Sequence, residues 1–209
     1  MRPPPTLKTI EIFPSVQGEG LRQGEPTIFV RLGGCNLRCP FCDTKYARRG
    51  GEDIAVDDII DVVGLFRNEF PARWVCLTGG EPLAQDIGPL VRRLKAAGSR
   101  VQVETNGTFP PRPPADWYTV SPKPPAYRFH PLFLKKAREI KLVVSRDLTF
   151  DVVKSVRAAF PQSAPLLLQP QSNAGWSARK AMELLRRAAR AGSDNVRLSI
   201  QLHKVLDLP

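Results

Sequence analysis

Much of what this chain has little of is informative. No run approaches the 18 uninterrupted apolar residues of a membrane-spanning helix, and the start, "MRPPPTLKTI", has no apolar core of a secretory signal. A cytoplasmic protein is therefore expected, with no membrane partner. Histidine occurs only twice, at the isolated positions His130 and His203, and no second Cys pair or Cys-His pair has the spacing of a structural zinc site. Four cysteines in 209 residues, three of them crowded together, do not make the dispersed framework of a small disulfide-stapled fold. Acidic residues are outnumbered 20 to 31 by Lys and Arg, giving a net charge of +11. The basic residues are scattered, with short groups such as "RRLK" (92 to 95) and "RRAAR" (186 to 190) and no interleaved aromatic platform. That pattern fits a solvated basic surface or an acidic partner better than a nucleic-acid site. No internal repeat and no linker interrupts the chain, so one domain over 1 to 209 is expected.

What is present is an alternation of β-rich and amphipathic runs. Strands are expected at 8–13, 27–32, 74–78, 100–105, 117–121, 139–144, 165–169 and 196–202. Helical periodicity falls at about 57–70, 85–98, 131–138, 149–160 and 177–191, the last with Ala181, Leu184, Leu185 and Ala188 on one face. This is the pattern of an α/β fold with a largely parallel sheet, curled into a partial, open β/α barrel. The first two strands are joined by a glycine-bearing loop without a helix, so an antiparallel pair at the sheet edge is expected there. Prolines crowd 109–125 and disfavour long helices there, which reduces the expected helix content. Ligands of such sheets gather at the carboxyl ends of the strands, and the most distinctive segments stand there: "GGCNLRCPFCDT", "TGGEP", "ETNGT", "SPKPP", "LQPQSN" and "QLHKVLDLP".

The first of these carries Cys35, Cys39 and Cys42 on a loop opened by Gly33 and Gly34, where the backbone can bend around a bulky ligand. Three thiolates on one loop can converge on one metal centre. A cluster of four irons normally takes four thiolates, so three leave one iron open to a small molecule. Cys76, between Val75 and Leu77 in an apolar strand, reads as a core residue.

The spacing Cys-x3-Cys-x2-Cys resembles the signature of the radical S-adenosylmethionine superfamily. The resemblance implies a 4Fe-4S cluster on Cys35, Cys39 and Cys42, whose open iron is chelated by the methionyl amine and carboxylate of S-adenosylmethionine. One electron from the reduced cluster then generates a 5′-deoxyadenosyl radical. It also implies that Phe41, Cys42 and Asp43 line the cofactor, that Gly80 of "TGGEP" grips its amino group with Glu81 fixing the loop, and that Ser121, Pro122 and Lys123 with Gln169, Pro170, Gln171 and Ser172 supply later contacts. Taken without the resemblance, those last seven are loop residues.

The run "EIFPSVQGEGLRQGEPTIFVRLGGCNLRCPFCDTKYA" (11 to 47), followed in order by "TGGEP", "ETNGT", "SPK" and "QLHK", closely resembles the 7-carboxy-7-deazaguanine synthase family. The resemblance spans nearly the whole chain. It implies conversion of 6-carboxy-5,6,7,8-tetrahydropterin to 7-carboxy-7-deazaguanine with loss of ammonia, in 7-deazapurine and queuosine biosynthesis. The radical takes a hydrogen from C6 of the pterin and the cofactor is regenerated. A Mg2+ ion is implied at Thr44, and substrate contacts at Val16, Gln17, Gly18, Glu19, Arg31, Thr78, His203 and Pro209. Without the resemblance, Arg31 reads as a salt-bridged strand end and "QGEG" as a turn. The short chain leaves barrel helices missing, so a homodimer is expected to cover the exposed apolar surface. An acidic, flavodoxin-like reductant is a further expectation from the charge. A glycyl-radical activase shares the cysteine spacing, and an RNA-binding iron or zinc module would fit the charge; neither accounts for "QGEG" and the glycine loops together.

Overall fold

The computed structural model describes residues 4–209. Its strands are β1 (Thr6–Val16), β2 (Pro26–Leu32), β3 (Glu52–Ala55), β4 (Trp74–Gly79), β5 (Arg100–Thr105), β6 (Trp117–Val120), β7 (Ala137–Val144), β8 (Leu166–Pro170) and β9 (Val196–Leu198). The helices are α1 (Val56–Glu69), α2 (Gly88–Ala96), α3 (Phe133–Lys136), α4 (Phe150–Ala159), α5 (Gly175–Arg190) and α6 (Leu202–Leu206). All strands join one sheet in the order β3-β1-β2-β4-β5-β6-β7-β8-β9, with different strands at its two edges, so the barrel stays open. From β2 to β9 every pairing is parallel, whereas β1 runs antiparallel to both β2 and β3. The expected antiparallel pair of the first two strands is therefore present, but one strand in from the edge, which β3 forms.

Period-2 side-chain alternation divides the sheet into two chemically different faces. Ile28, Val30, Val75, Leu77, Val101, Val103, Ile140, Leu142, Leu166 and Leu168 are fully buried in the apolar layer together with Ile59 and Val63 of α1, Leu90 and Leu94 of α2 and Val153 of α4. Each of these helices has one apolar stripe, and the sheet face is where that stripe is buried. The intervening positions, Thr27, Gln102, Glu104, Thr119, Glu139, Lys141 and Gln169, point to the other face and are polar. A polar interior surface of this kind persists only if its groups are paired, and here those other than Gln169 are.

Helix cover is thin in the middle of the chain. The proline-rich connection from β5 to β6 contains no helix, and the one from β6 to β7 has only the four residues of α3. Three elements differ from the sequence expectation. The strand β3 was not foreseen, because "EDIA" is short and acidic; it exists through pairing with Thr6 to Thr9 of β1. The helix expected over 131–138 is cut to Phe133–Lys136 because β7 begins at Ala137. The strand expected over 196–202 ends at Leu198, and the chain turns at Gln201 into α6. The side chain of Asn173 holds the main chain of Gln201 at both ends (Nδ2 to O, 2.8 Å; N to Oδ1, 3.0 Å), while Leu202 N donates to Gly18 O at 2.8 Å. These contacts take the backbone groups that a continuing strand would have used.

Candidate active site

The loops at the carboxyl ends of the parallel strands enclose a cavity of about 390 Å³, within the range of small-molecule pockets. Cys35, Cys39 and Cys42 line one wall; all three are free and half-buried. The loop that carries them is anchored at its root by backbone contacts and at Cys39 by a side chain. Gly34 N donates to Ala47 O at 2.8 Å, Glu81 N donates to Gly34 O at 2.8 Å, and Arg48 donates to Cys39 O. Burial pushes the Cys35 and Cys39 thiols up. Among the described residues no three His, Cys, Asp or Glu side chains stand close enough together to hold a metal ion. The donor set is nonetheless three soft sulfurs on one tethered loop, the chemistry of an iron-sulfur site with one iron left open.

Opposite the cysteines lies the glycine turn. Gly79 has φ +115° and a Cβ there would stand 2.1 Å from Leu32 O, so only glycine fits. Glu81 is fully buried and does not face solvent or cavity. It accepts from Thr105 Oγ1 (2.7 Å), Asn106 N (2.7 Å) and Leu83 N (3.0 Å), which makes it the brace of the turn. Beyond it, Lys123 donates to Ser121 Oγ and, among the described residues, pairs with no carboxylate. Burial, and then the Lys141 charge, press its pKa down, the environment of a cation waiting for an anion. Gln169 is 3% exposed and its Oε1 has no donor in the protein, an acceptor suited to a ribose hydroxyl. Glycine turn, free ammonium and orphan acceptor fit an amino-acid nucleoside such as S-adenosylmethionine. Pro122 and Pro170, expected beside it, do not line the cavity, whereas Phe41, Asp43, Gly80, Ser121, Gln171 and Ser172 do.

The third wall comes from the "QGEG" loop and the C-terminal segment. Val16, Gln17, Gly18, Glu19, Arg31, Thr44, Thr78, His203 and Pro209 all line the cavity, so the structure brings together what the sequence scatters over nearly 200 positions. Their states differ from simple expectation. The Gln17 carboxamide is already engaged, donating to Gln102 Oε1 (2.9 Å) and accepting from Glu19 N (3.1 Å). Arg31, which lines the cavity, uses Nε on Glu11 and lies over the ring of Phe13 at 5.3 Å, while its terminal amino groups have no hydrogen-bond partner among the described residues. His203 packs on Gly18, where a Cβ would stand 2.2 Å from Nδ1, and burial lowers its pKa, favouring neutral imidazole. Thr44 donates to Asp43 Oδ1 at 3.1 Å, which keeps its lone pairs free for a hard cation.

Sequence reading missed the polar floor. Lys141, 6% exposed, bonds to both Glu19 and Glu104, the latter at 2.8 Å. Burial alone would raise Glu19, but Lys141 and Gln201 outweigh it and hold its pKa at about 2. Glu104 is instead raised, mainly by burial, and Lys141 is raised because its two carboxylates outweigh burial. Behind them Glu139 accepts from Thr119 Oγ1 (2.7 Å) and Leu21 N (2.7 Å), tying the "QGEG" loop to the sheet. Cys76, read as core, is fully buried but faces this floor, with Gln17 Nε2 3.9 Å from its sulfur, and burial pushes its thiol well up. The signal was available in "RVQVET" and "EIKLVV", where polar residues alternate with apolar ones.

A parallel open barrel with three thiols on its first parallel-strand loop, facing a glycine turn on the next, defines a radical S-adenosylmethionine enzyme. The sequence profile described as Radical SAM superfamily matches residues 29–117. The crystal structure of Streptococcus suis SuiB bound to S-adenosylmethionine shares the fold, with 14% identity and a TM-score of 0.56 over 80% of this chain and 48% of that one. A nearer likeness is the crystal structure of QueE from Escherichia coli, 32% identical with a TM-score of 0.80 over 95% of both chains. The 7-carboxy-7-deazaguanine synthase of Methanospirillum hungatei is 37% identical over 97% of this chain and 86% of the relative, and that of Aquifex aeolicus 36% identical over 95% and 92%. The chain belongs to the 7-carboxy-7-deazaguanine synthase family. Its superfamily chemistry implies a 4Fe-4S cluster and S-adenosylmethionine. Among the described residues, no helix is long and apolar enough to cross a membrane.

Proposed function

We propose that the chain is one catalytic domain that converts 6-carboxy-5,6,7,8-tetrahydropterin to 7-carboxy-7-deazaguanine with loss of ammonia, in the cytoplasm. The observation that carries this reading is the meeting of the cysteine loop, the glycine turn and the "QGEG" loop in one cavity. Bound together, the cluster and S-adenosylmethionine supply the carbon radical that starts the rearrangement. Cys35, Cys39 and Cys42 hold the cluster; Gly80, Lys123, Ser121 and Gln169, with Phe41 beside them, hold the cofactor.

The protein's own groups then fix the pterin. The free fork of Arg31 matches a carboxylate. Glu19, held ionised by Lys141, accepts from amino groups of the ring, and the backbone of Val16 to Gly18 and neutral His203 complete the polar edge. Thr78 and Pro209 close the sides. Thr44 offers one oxygen to Mg2+, with substrate and water completing the shell. The stacked pair Phe13 and Phe29, with ring centroids 5.2 Å apart, gives the cavity a dry wall on this side.

Two partner readings accompany this one. Exposed Leu198, Ile200, Val205, Leu206 and Leu208, on and beyond the free edge strand β9, support a homodimer. Exposed Arg38, Lys45 and Arg49 around the cysteines support an acidic, flavodoxin-like electron donor. Turnover should then fall at high salt with a protein donor and hold with a chemical one.

Anaerobic reconstitution with iron and sulfide, followed by reductant, S-adenosylmethionine, Mg2+ and the carboxytetrahydropterin, tests the function. Deazaguanine carboxylate detected by mass spectrometry is the expected result. A full cluster with no pterin turnover, with or without Mg2+, would overturn it.

A further inference from the structure

One buried side chain joins the two halves of the cavity and has no role in the reading above. Gln201 is 4% exposed, and its Nε2 donates both to Glu19 Oε1 (2.8 Å) on the substrate loop and to Asp43 Oδ2 (3.2 Å) on the cysteine loop. Asp43 lies between Cys42 and Thr44, and Lys204 completes its shell at 2.8 Å. The orientation of the Gln201 amide is fixed by chemistry: turned over, its oxygen would face two carboxylates. Its Oε1, buried and without a protein partner, shows that the residue is placed for its two donor bonds and not for its own satisfaction. The main chain beneath it is gripped from both sides by Asn173, which itself sits at φ +53° next to Ser172 at φ +50°. Two consecutive non-glycine residues in the left-handed region are a local strain that this clamp accounts for.

We propose that Gln201 is a positioning residue that carries occupancy of the substrate pocket at Glu19 across to the cysteine loop at Asp43, so that cleavage of S-adenosylmethionine waits for bound substrate. This rests on the pterin reading of the pocket. Glutamine suits the task because it is neutral and carries two donors on one atom. A glutamate would add a third carboxylate, and a methionine of similar length would leave both carboxylates without their shared donor. When substrate amino groups engage Glu19, its oxygens redistribute among Lys141, Gln201 and ligand, and the share left to Gln201 sets how firmly Asp43 holds the loop.

The test compares wild type with Gln201→Met, both reconstituted and loaded with S-adenosylmethionine. Three quantities are read: amide hydrogen exchange of residues 39–45 before and after adding 6-carboxy-5,6,7,8-tetrahydropterin, 5′-deoxyadenosine released without it, and pterin turnover. In wild type the pterin should slow exchange of that segment about tenfold, equivalent to about 1.4 kcal/mol. In Q201M that response should vanish and pterin turnover should fall by about the same factor, while substrate-free cofactor cleavage does not rise and iron content matches wild type. Asn173→Gly removes the grip on Gln201 while allowing the same backbone angle, and should weaken the response in the same direction if Q201M folds poorly. A wild-type response retained in both variants would overturn the coupling. A wild type that cleaves S-adenosylmethionine yet never responds to the pterin would overturn the functional reading instead.

Discussion

Gly80 approaches Gly34 so closely that a Cβ on the former would lie 2.0 Å from the carbonyl oxygen of the latter. The contact joins the glycine turn to the root of the cysteine loop, and Glu81 N to Gly34 O (2.8 Å) fastens it. Since the clash is with backbone, it cannot be relieved by a rotamer change. Gly80→Ala should cost about 3 kcal/mol, at the upper end for overpacking, and should lower cofactor affinity. Thermal unfolding and equilibrium binding of S-adenosylmethionine measure the two effects. At Gly34 a Cβ meets nothing, so Gly34→Ala should cost only the strain of φ +85°, about 1 kcal/mol.

The cysteines separate by position. Cys39→Ala should abolish cluster assembly, read as loss of bound iron and of visible absorption after reconstitution. Cys76→Ala should retain both and lose about 1 kcal/mol of stability, as for other small deletions from a packed interior. Equal loss of cluster from the two variants would contradict the ligand assignment.

Acid should loosen the substrate wall. A carboxylate whose pKa is lower in the folded chain stabilises the fold above its unfolded value and loses that contribution as pH falls through the folded one. Glu19 moves from 4.5 to about 2, so its share, on the order of 3 kcal/mol, is present at neutral pH and disappears between about pH 4.5 and 2. Glu104, raised by burial, acts in the opposite sense and at higher pH, above its ordinary value of 4.5. Chemical denaturation across that window should show a steep acid limb in wild type and a flatter one in Glu19→Gln. Lys141→Met should be the most damaging change on the floor, about 3 to 5 kcal/mol, because it leaves two buried carboxylates facing each other.

Magnesium dependence should reside in one hydroxyl. Thr44→Val keeps the branched shape and removes the oxygen, so stimulation of turnover by Mg2+ should fall at least tenfold while iron content stays as in wild type. Thr44→Ser should restore much of it.

The strand-end loops were legible in the sequence because glycine, cysteine and proline announce themselves where chain direction changes. The helices α1, α4 and α5 were legible because their apolar stripes are long and amphipathic. The polar floor was harder. Glu104 and Lys141 lie in strands whose other face is apolar, and nothing local tells that the second face encloses a cavity and not bulk water. Their pairing depends on neighbours 37 residues apart in sequence. Gln201 falls inside the strand expected over 196–202 because "VRLSIQL" has strand character throughout; only the Asn173 clamp, formed by tertiary contact, turns it into a helix start.

In the proposed reaction the cofactor on the cysteine loop and the pterin beside Glu19 and Arg31 share one cavity in contact with each other. Deuterium at C6 of 6-carboxy-5,6,7,8-tetrahydropterin, followed into S-adenosylmethionine recovered after turnover by reconstituted protein, tests this most directly. Label in the recovered cofactor together with 7-carboxy-7-deazaguanine is the predicted result. Product formed with no label in the cofactor, or a fully loaded enzyme that forms no product, would contradict it.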